Sequence, residues 1–149
     1  MSTLRDITLV PAAVRSSATF GEAARELSES RAAAIAVLGE GDVVVGLFAE
    51  EDLLRGLCPP YLGELRHTAF LQDDPAALSE RAAAVRDEPV ARHMRRPAIV
   101  QIDTSATHAV ELFLHHEEGA LAVVEEGRFM GMLTRSDVCA AMARRLADA

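Results

Sequence analysis

The sequence contains no lysine, and its 15 basic residues are all arginine. Acidic residues number 23, which gives a formal net charge of −8 at pH 7. Binding to nucleic acid or to an anionic membrane surface needs a concentrated positive field, so this balance argues against both kinds of partner. We therefore expect neither nucleic acid nor membrane as a partner, although a local cluster of arginines is sufficient to hold one phosphate.

Cysteine is scarce, and long apolar runs are missing. Cys58 and Cys139 are far apart in sequence and lack CxxC spacing, which predicts buried free thiols in a reducing compartment. The first ten residues, MSTLRDITLV, contain no long apolar run, and no segment reaches the roughly 18 apolar residues of a membrane-spanning helix. These features predict a soluble, cytoplasmic protein.

The sequence also lacks the local motifs of common enzymes. It has no P-loop, no GxGxxG and no nucleophile elbow, and no Cys/His or Ser/His pair has local support. The run His115-His116-Glu117-Glu118 has metal-binding residue types, but neighbours on a helix point in different directions and do not easily share one ion. We expect no enzymatic activity, no required cofactor and no metal site.

A repeated motif is the most informative feature that the chain does contain. GMLTRSDV at 131–138 is matched by GLFAEEDL at 46–53, and each runs from a Gly through apolar residues to an Asp. Upstream, AAIAVL at 33–38 aligns with GALAVV at 119–124, and Ala23 and Val14 align with Ala109 and Val100 at the same offset. Each unit reads as strand, helix, strand, tight turn, strand, helix, which indicates a pseudo-symmetric module.

Local signals predict the elements of this module. Ser17 to Thr19 offer N-caps for the helix that follows, Thr104 or Ser105 caps its counterpart, and the last helix is expected to turn Val138, Ala141, Met142 and Leu146 inward. RDITLV at 5–10 is predicted to be a short strand or an extended arm. The predicted segments are a first repeat at 1–57, a helical linker at 58–92 and a second repeat at 93–149.

The linker is expected to contain a helix over YLGELRHTAFL at 61–71 and another starting at Pro75, with Asp74 as its N-cap. Two interpretations apply to these helices. They form a surface for a dimer or another partner, or they cover the core of the module itself, and we favour the second.

The second repeat, with its apolar ALAVV strand, its turn and its G-h-h-T-x-x-D motif opening a helix, resembles the CBS domain, which is named for cystathionine β-synthase and occurs in tandem pairs. The resemblance covers almost the whole chain apart from the central helices. It implies an α/β fold of two repeats, each a three-stranded sheet with two helices, packed sheet to sheet around two clefts. It also implies a homodimer and a regulatory module whose clefts hold an adenosine-containing ligand: AMP, ADP, ATP or S-adenosylmethionine.

By the same resemblance, one cleft is formed around the TRSD motif. Asp137 is expected to accept the ribose hydroxyls, because a carboxylate is an acceptor that repels phosphate. Thr134 and the adjacent helix N-terminus are expected to hold phosphate. The remaining contacts are apolar walls around adenine and a segment borrowed from the other repeat: Met132, Ala120, Ile7 and Ala12.

The first repeat departs from this pattern. Ala49 stands where Thr134 stands in the second repeat, so neither a phosphate-binding hydroxyl nor a cap is available. Asp52 is still expected to accept a ribose, but Glu50 and Glu51 add negative charge beside it. Arg95, from the start of the second repeat, is expected to lean into this cleft and take part in ligand binding, on the side of the phosphate. We expect one competent site, or two unequal ones.

Two alternatives stay open at this point. The TRSD motif is also a capping box worth about 1 kcal/mol, which needs no ligand to explain it. The chain as a whole is also compatible with an interaction module whose clefts are degenerate and which binds a protein partner without any nucleotide.

Overall fold

The structure is a computed structural model that describes residues 2–58, 75–115, 117 and 119–149. Short 3₁₀ turns lie at Leu4–Asp6, Glu40–Asp42 and Val90–Arg92. Within the described residues the chain forms six strands and five α-helices: β1 Ala13–Arg15, α1 Phe20–Ser30, β2 Ala34–Leu38, β3 Val44–Ala49, α2 Glu50–Leu57, α3 Pro75–Val85, β4 Ile99–Gln101, α4 Ala106–His115, β5 Ala120–Glu125, β6 Arg128–Thr134 and α5 Arg135–Ala147.

The two repeats have the same topology. In the first, β1 runs parallel to β2, and β2 runs antiparallel to β3. In the second, β4, β5 and β6 pair in the same way. The register shifts at equivalent points in the two hairpins, after Val37 and after Val123. The predicted fold class, two repeats that each carry a three-stranded sheet and two helices, is confirmed.

Side-chain oxygens cap the N-termini of three helices at the predicted positions. The hydroxyl of Thr19 accepts a hydrogen bond from the Glu22 amide at 3.2 Å, and the hydroxyl of Ser105 accepts one from the His108 amide at 3.1 Å. Thr134 caps α5 in the same way. These bonds satisfy amides that the first turn of a helix leaves without a partner.

The sheets pack against each other because alternate residues of a strand face opposite sides. In β5, Ala120 and Ala122 face the first sheet and share its hydrophobic cluster. Leu121 and Val123 face the other way, into a second cluster that α4 and α5 cover. The main core therefore lies between the two sheets.

The segment that leads into each first strand crosses to the opposite repeat. Leu4 packs in the core of the second repeat, and Val90 packs in the core of the first. The amides of Val10 and Met132 each donate to the other residue's carbonyl, at 2.9 and 2.7 Å. The two repeats thus exchange their N-terminal arms. The strand alternative for 5–10 was wrong, because Leu4–Asp6 forms a 3₁₀ turn capped by Thr3. The chain is extended at Ile7 and bridges to β6 at Val10, so the extended-arm alternative holds after this turn.

The glycine that opens each repeated motif lies where the arm passes over the last strand. A Cβ at Gly131 would lie 2.7 Å from Leu9 Cβ, and one at Gly46 would lie 2.5 Å from Met94 Sδ. Contacts this short do not occur between real side-chain atoms. The motif therefore keeps a glycine because the arm of the other repeat needs its space.

The linker is described in part. The predicted helix at 61–71 and the cap at Asp74 lie outside the described residues. Helix α3 begins at Pro75 as predicted, and its last residue, Val85, is buried in the cluster of the first repeat. At this end, α3 covers the core of the module. The division at 57 and 92 stays a prediction.

Two details of the predicted core were wrong. Both free cysteines are exposed, because Cys58 directly follows the last residue of α2 and Cys139 lies on the solvent side of α5. Leu146 is also exposed, because the last turns of α5 run past the core. Among the described helices, none has the length and apolar character needed to cross a membrane.

Candidate functional site

The N-terminus of α5 brings Thr134 and Asp137 into contact. The Thr134 hydroxyl accepts a hydrogen bond from the Asp137 amide at 3.0 Å and donates one to Asp137 Oδ2 at 2.8 Å. Thr134 is 8% exposed and Asp137 is half-buried. In the part of the chain that the structure describes, no salt bridge reaches Asp137. Its carboxylate is thus oriented by a neutral hydroxyl and keeps Oδ1 for another donor.

The backbone at this helix end is partly occupied. The Arg135 amide donates to the carbonyl of Gly119 at 3.0 Å, and the Asp137 amide is taken by Thr134. Two of the first three amides of α5 therefore have partners within the protein. The Thr134 hydroxyl donates its hydrogen to Asp137, so this hydrogen is not free for a phosphate. This helix end offers a phosphate fewer donors than the sequence predicts.

The predicted apolar walls divide between the two cores. Ala12, Ala120 and Met132 lie together in the cluster between the sheets, and each is at most 1% exposed. Ile7 lies in the other cluster, with Val100 and Leu133, and the structure does not bring it to the first three. The alternation of β6 explains this division, because Met132 and Leu133 face opposite sides of the sheet.

The equivalent position in the first repeat is filled by an ion pair. Arg95 Nε donates to Asp52 Oδ2 at 2.9 Å, and Arg95 Nη2 donates to Asp52 Oδ1 at 3.0 Å. Nη2 also reaches Glu51 Oε2 at 3.1 Å, and the Ala49 amide donates to Asp52 Oδ2 at 2.8 Å. Hydrogen bonding to Asp52 raises the pKa of Arg95 above its ordinary value, although partial burial opposes this.

Arg95 does lean in from the second repeat, as predicted, but its guanidinium contacts Asp52 and Glu51. Asp52 is 6% exposed, and both of its carboxylate oxygens have donors. The role of Glu51 as a second acceptor was missed, although its position one residue before Asp52 was a usable signal. The ion pair itself joins residues 43 apart in sequence, for which no local pattern exists.

Backbone pairing shows which residue of the second cleft corresponds to Arg95. Arg95 and Leu47 exchange backbone hydrogen bonds at 2.9 and 3.1 Å, in the same manner as Val10 and Met132. Leu47 and Met132 follow the equivalent glycines of the two motifs. Val10 therefore takes the place of Arg95 beside α5, and the clefts differ in whether their arm carries a cation.

Three cavities lie away from Thr134 and Asp137. One of about 440 Å³ lies between α1 and α2, and one of about 470 Å³ lies where α3 meets them. A third, of about 240 Å³, lies between the N-terminal arm, α4 and α5, and Ile7 lines it. Among the described residues, no three His, Cys, Asp or Glu side chains are grouped in a way that would hold a metal ion.

Comparison with known proteins gives a match to the same family for both repeats. The family model for the CBS domain matches residues 4–58 and 86–144. No curated protein matches the chain.

Solved structures share the fold at low sequence identity. CBSX2 from Arabidopsis thaliana, a CBS-pair protein, is 22% identical, with a TM-score of 0.76 over 99% of this chain and 98% of that one. CBSX2 in complex with AMP is 23% identical, with a TM-score of 0.71 over 97% of this chain and 98% of that one. Protein MJ1004 from Methanocaldococcus jannaschii is 18% identical, with a TM-score of 0.70 over 96% of this chain, which spans 60% of that longer protein.

The family match covers both repeats, and their sheets have the topology that the repeated motif predicted. The chain belongs to the CBS domain family as a tandem pair, a type of regulatory ligand-binding module.

Proposed function

We propose that this protein is a non-catalytic regulatory module that binds an adenosine-containing ligand in the cleft of the second repeat. The observation that supports this most directly is the contrast between two equivalent carboxylates. Asp137 is half-buried and oriented by the Thr134 hydroxyl, whereas Asp52 is buried and bound by Arg95. Asp137 therefore has the acceptor capacity that a ribose diol requires.

The ligand classes are AMP, ADP, ATP and S-adenosylmethionine. The AMP complex of CBSX2 supports an adenine nucleotide as a candidate, since that protein has the same fold. Asp137 would accept the ribose hydroxyls. Because Thr134 and two amides of α5 already have partners, the ribose is the main polar anchor and the phosphates add less. We propose no required cofactor, because the proposed module catalyses no reaction.

Signal transmission follows from the exchanged arm. Ala12, Ala120 and Met132 are closed to solvent, so an adenine that contacts them displaces the arm near Val10 from β6. This arm belongs to the first repeat. Binding in the second cleft thus shifts the balance between two arrangements of the repeats, and a partner that reads their surface responds to the ligand.

The test is binding measured by calorimetry and by thermal unfolding with each of the four ligands. A ligand at a hundred times its dissociation constant stabilises the folded state by about 2.7 kcal/mol, which is roughly 5 to 10 °C at this chain length. Asp137→Ala is expected to abolish the shift, and Asp148→Ala, which removes a carboxylate at the other end of α5, is expected to retain it. Equal shifts in the two variants would place the ligand elsewhere.

The structural alternative has its own supporting observation, which is the ion pair that fills the first cleft. An interaction module with two degenerate clefts would show no shift with any of the four ligands in the unmodified protein. That result would overturn the sensing proposal and favour a protein partner. We also propose a cytoplasmic homodimer, and sedimentation equilibrium of the purified chain would test the dimer.

A further inference from the structure

We propose that the guanidinium of Arg95 binds the Asp52 carboxylate of the first cleft in place of a ligand. Arg95 thereby restricts the chain to one bound ligand. Arg95 would then determine binding stoichiometry. The inference rests on the proposed function, because it assumes that the equivalent second cleft binds the ligand.

The geometry of the ion pair supports occupation rather than a loose surface contact. Both oxygens of Asp52 accept from the same guanidinium, at 2.9 and 3.0 Å, in a bidentate arrangement. The Asp52 side chain is 6% exposed and that of Arg95 is 26% exposed. Arg95 Nη2 also donates to Glu51 Oε2, so this nitrogen bridges the two carboxylates. Asp52 is therefore largely shielded from water, whereas Arg95 and Glu51 stay partly exposed.

The competing groups differ in strength. A ribose presents two neutral hydroxyls to a carboxylate, whereas the guanidinium presents two N–H donors and a full charge. Both kinds of bond are charge-assisted at the carboxylate, but only the guanidinium neutralises Asp52. Removing the cation from a nearly buried carboxylate is strongly unfavourable, so a ribose does not displace Arg95. A phosphate that attracts Arg95 also approaches Glu51, which contacts Arg95 and repels a phosphate. Neither part of a nucleotide gains enough in this cleft to open it.

The second cleft shows what the first would be without the cation. Val10 and Arg95 both form two backbone hydrogen bonds to the last strand of the opposite repeat. Their side chains are the difference, because valine offers no donor to Asp137. Replacing Arg95 by an uncharged side chain should therefore leave the arm paired and expose Asp52 as a second acceptor.

The experiment is equilibrium dialysis with labelled adenosine, which carries the base and the ribose but no phosphate to be repelled by Glu51. The expected stoichiometry is one per chain for the unmodified protein and two for Arg95→Met. Asp137→Ala should bind none. The double variant Asp137→Ala/Arg95→Met should bind one, and this site should be lost when Asp52→Asn is added.

The outcomes separate the two proposals. If Arg95→Met still binds one adenosine and the double variant binds none, Arg95 does not restrict the first cleft and the inference is wrong. If the unmodified protein binds none but Arg95→Met binds one in an Asp52-dependent manner, the proposed second-cleft site fails, while the inference that Arg95 blocks the first cleft stands. Circular dichroism checks the fold of each variant, and Arg95→Gln, which keeps a polar side chain without the charge, replaces Arg95→Met if that protein does not fold.

Discussion

A double-mutant cycle on Arg95 and Asp52 tests the interpretation of the first cleft without any ligand. The single variants are Arg95→Met and Asp52→Asn, and the cycle is completed by the double variant. Breaking a fully buried ion pair by removing one partner costs about 3–5 kcal/mol, whereas exposed pairs contribute about 0.2–1 kcal/mol. Here one partner is almost fully buried and the other is 26% exposed, which places the pair between these limits.

We therefore expect each single variant to lower the free energy of unfolding by about 2–3 kcal/mol. The double variant should lose less than the sum, with a coupling energy of about 2 kcal/mol. At this chain length the single variants should unfold about 4 to 12 °C lower. The two losses need not be equal, because Arg95→Met leaves a buried carboxylate without its cation, whereas Asp52→Asn leaves a guanidinium that solvent still reaches.

Urea unfolding followed by far-ultraviolet circular dichroism measures all four proteins. The matched control is a cycle on Arg15 and Asp42, a pair of similar length at 2.7 Å whose side chains are 55% and 48% exposed. Its coupling should be clearly smaller, since solvent screens both charges. A coupling energy below about 0.5 kcal/mol for Arg95 and Asp52, or one no larger than in the control, would refute the claim that this pair fills the cleft.

Two further predictions concern the repeated motif. Thr134→Val removes the cap of α5 at nearly constant volume and is expected to lower the free energy of unfolding by about 1 kcal/mol. Thr134→Ser keeps the hydroxyl and should lower it less. Equal losses of stability in urea unfolding would show that the cap contributes nothing. Gly131→Ala would place a Cβ 2.7 Å from Leu9 and is expected to cost about 1–3 kcal/mol through overpacking, in addition to any backbone strain. Gly127→Ala is the control, because Gly127 has φ +80 and nothing lies within 4 Å of the added atom. This variant should show only backbone strain of about 1 kcal/mol. A larger loss of stability at Gly127 than at Gly131 would contradict the arm-crossing argument.

Much of the fold could be predicted from the sequence, because its signals are local or repeated. A short apolar run bounded by turn residues predicts a strand buried on both faces, and β2 is such a strand, with all five residues buried. Thr19 and Thr134 have the side chains that satisfy free helical amides, so the helices begin where expected. The constant offset between the repeats extended these local predictions to the whole topology.

The exchange of the N-terminal arms could not be predicted from local signals. Residues 5–10 alternate enough to suggest a strand, but Thr3 and Asp6 cap each other and tighten the chain into a 3₁₀ turn. What holds the arm is the distant surface of the second repeat: Leu4 enters its core, and Arg5 forms salt bridges with Asp103 and Glu125. Tertiary contacts of this kind override a weak local preference.

The sequence predicted which residues belong to the candidate site better than it predicted which of them contact each other. Thr134 and Asp137 lie together because the capping geometry of one helix turn requires it, whatever a ligand contributes. Ile7 was assigned to the cleft by resemblance alone, and the structure places it in the other core cluster. For Arg95, the sequence shows a cation near a cleft but does not show whether a phosphate or a carboxylate of the same protein holds it.

The exchanged arms explain how two clefts of one fold can differ so much in chemistry. Each arm is held on the opposite repeat by two backbone hydrogen bonds, which any residue except proline can form. The side chain at that position is therefore not fixed by the pairing, and the chain carries valine at one position and arginine at the other. A valine leaves the carboxylate of the facing helix without a cation, and an arginine neutralises it. Because the backbone pairing is the same in both cases, the side chain at this position changes the charge that faces each helix N-terminus while the pseudo-symmetric fold is retained.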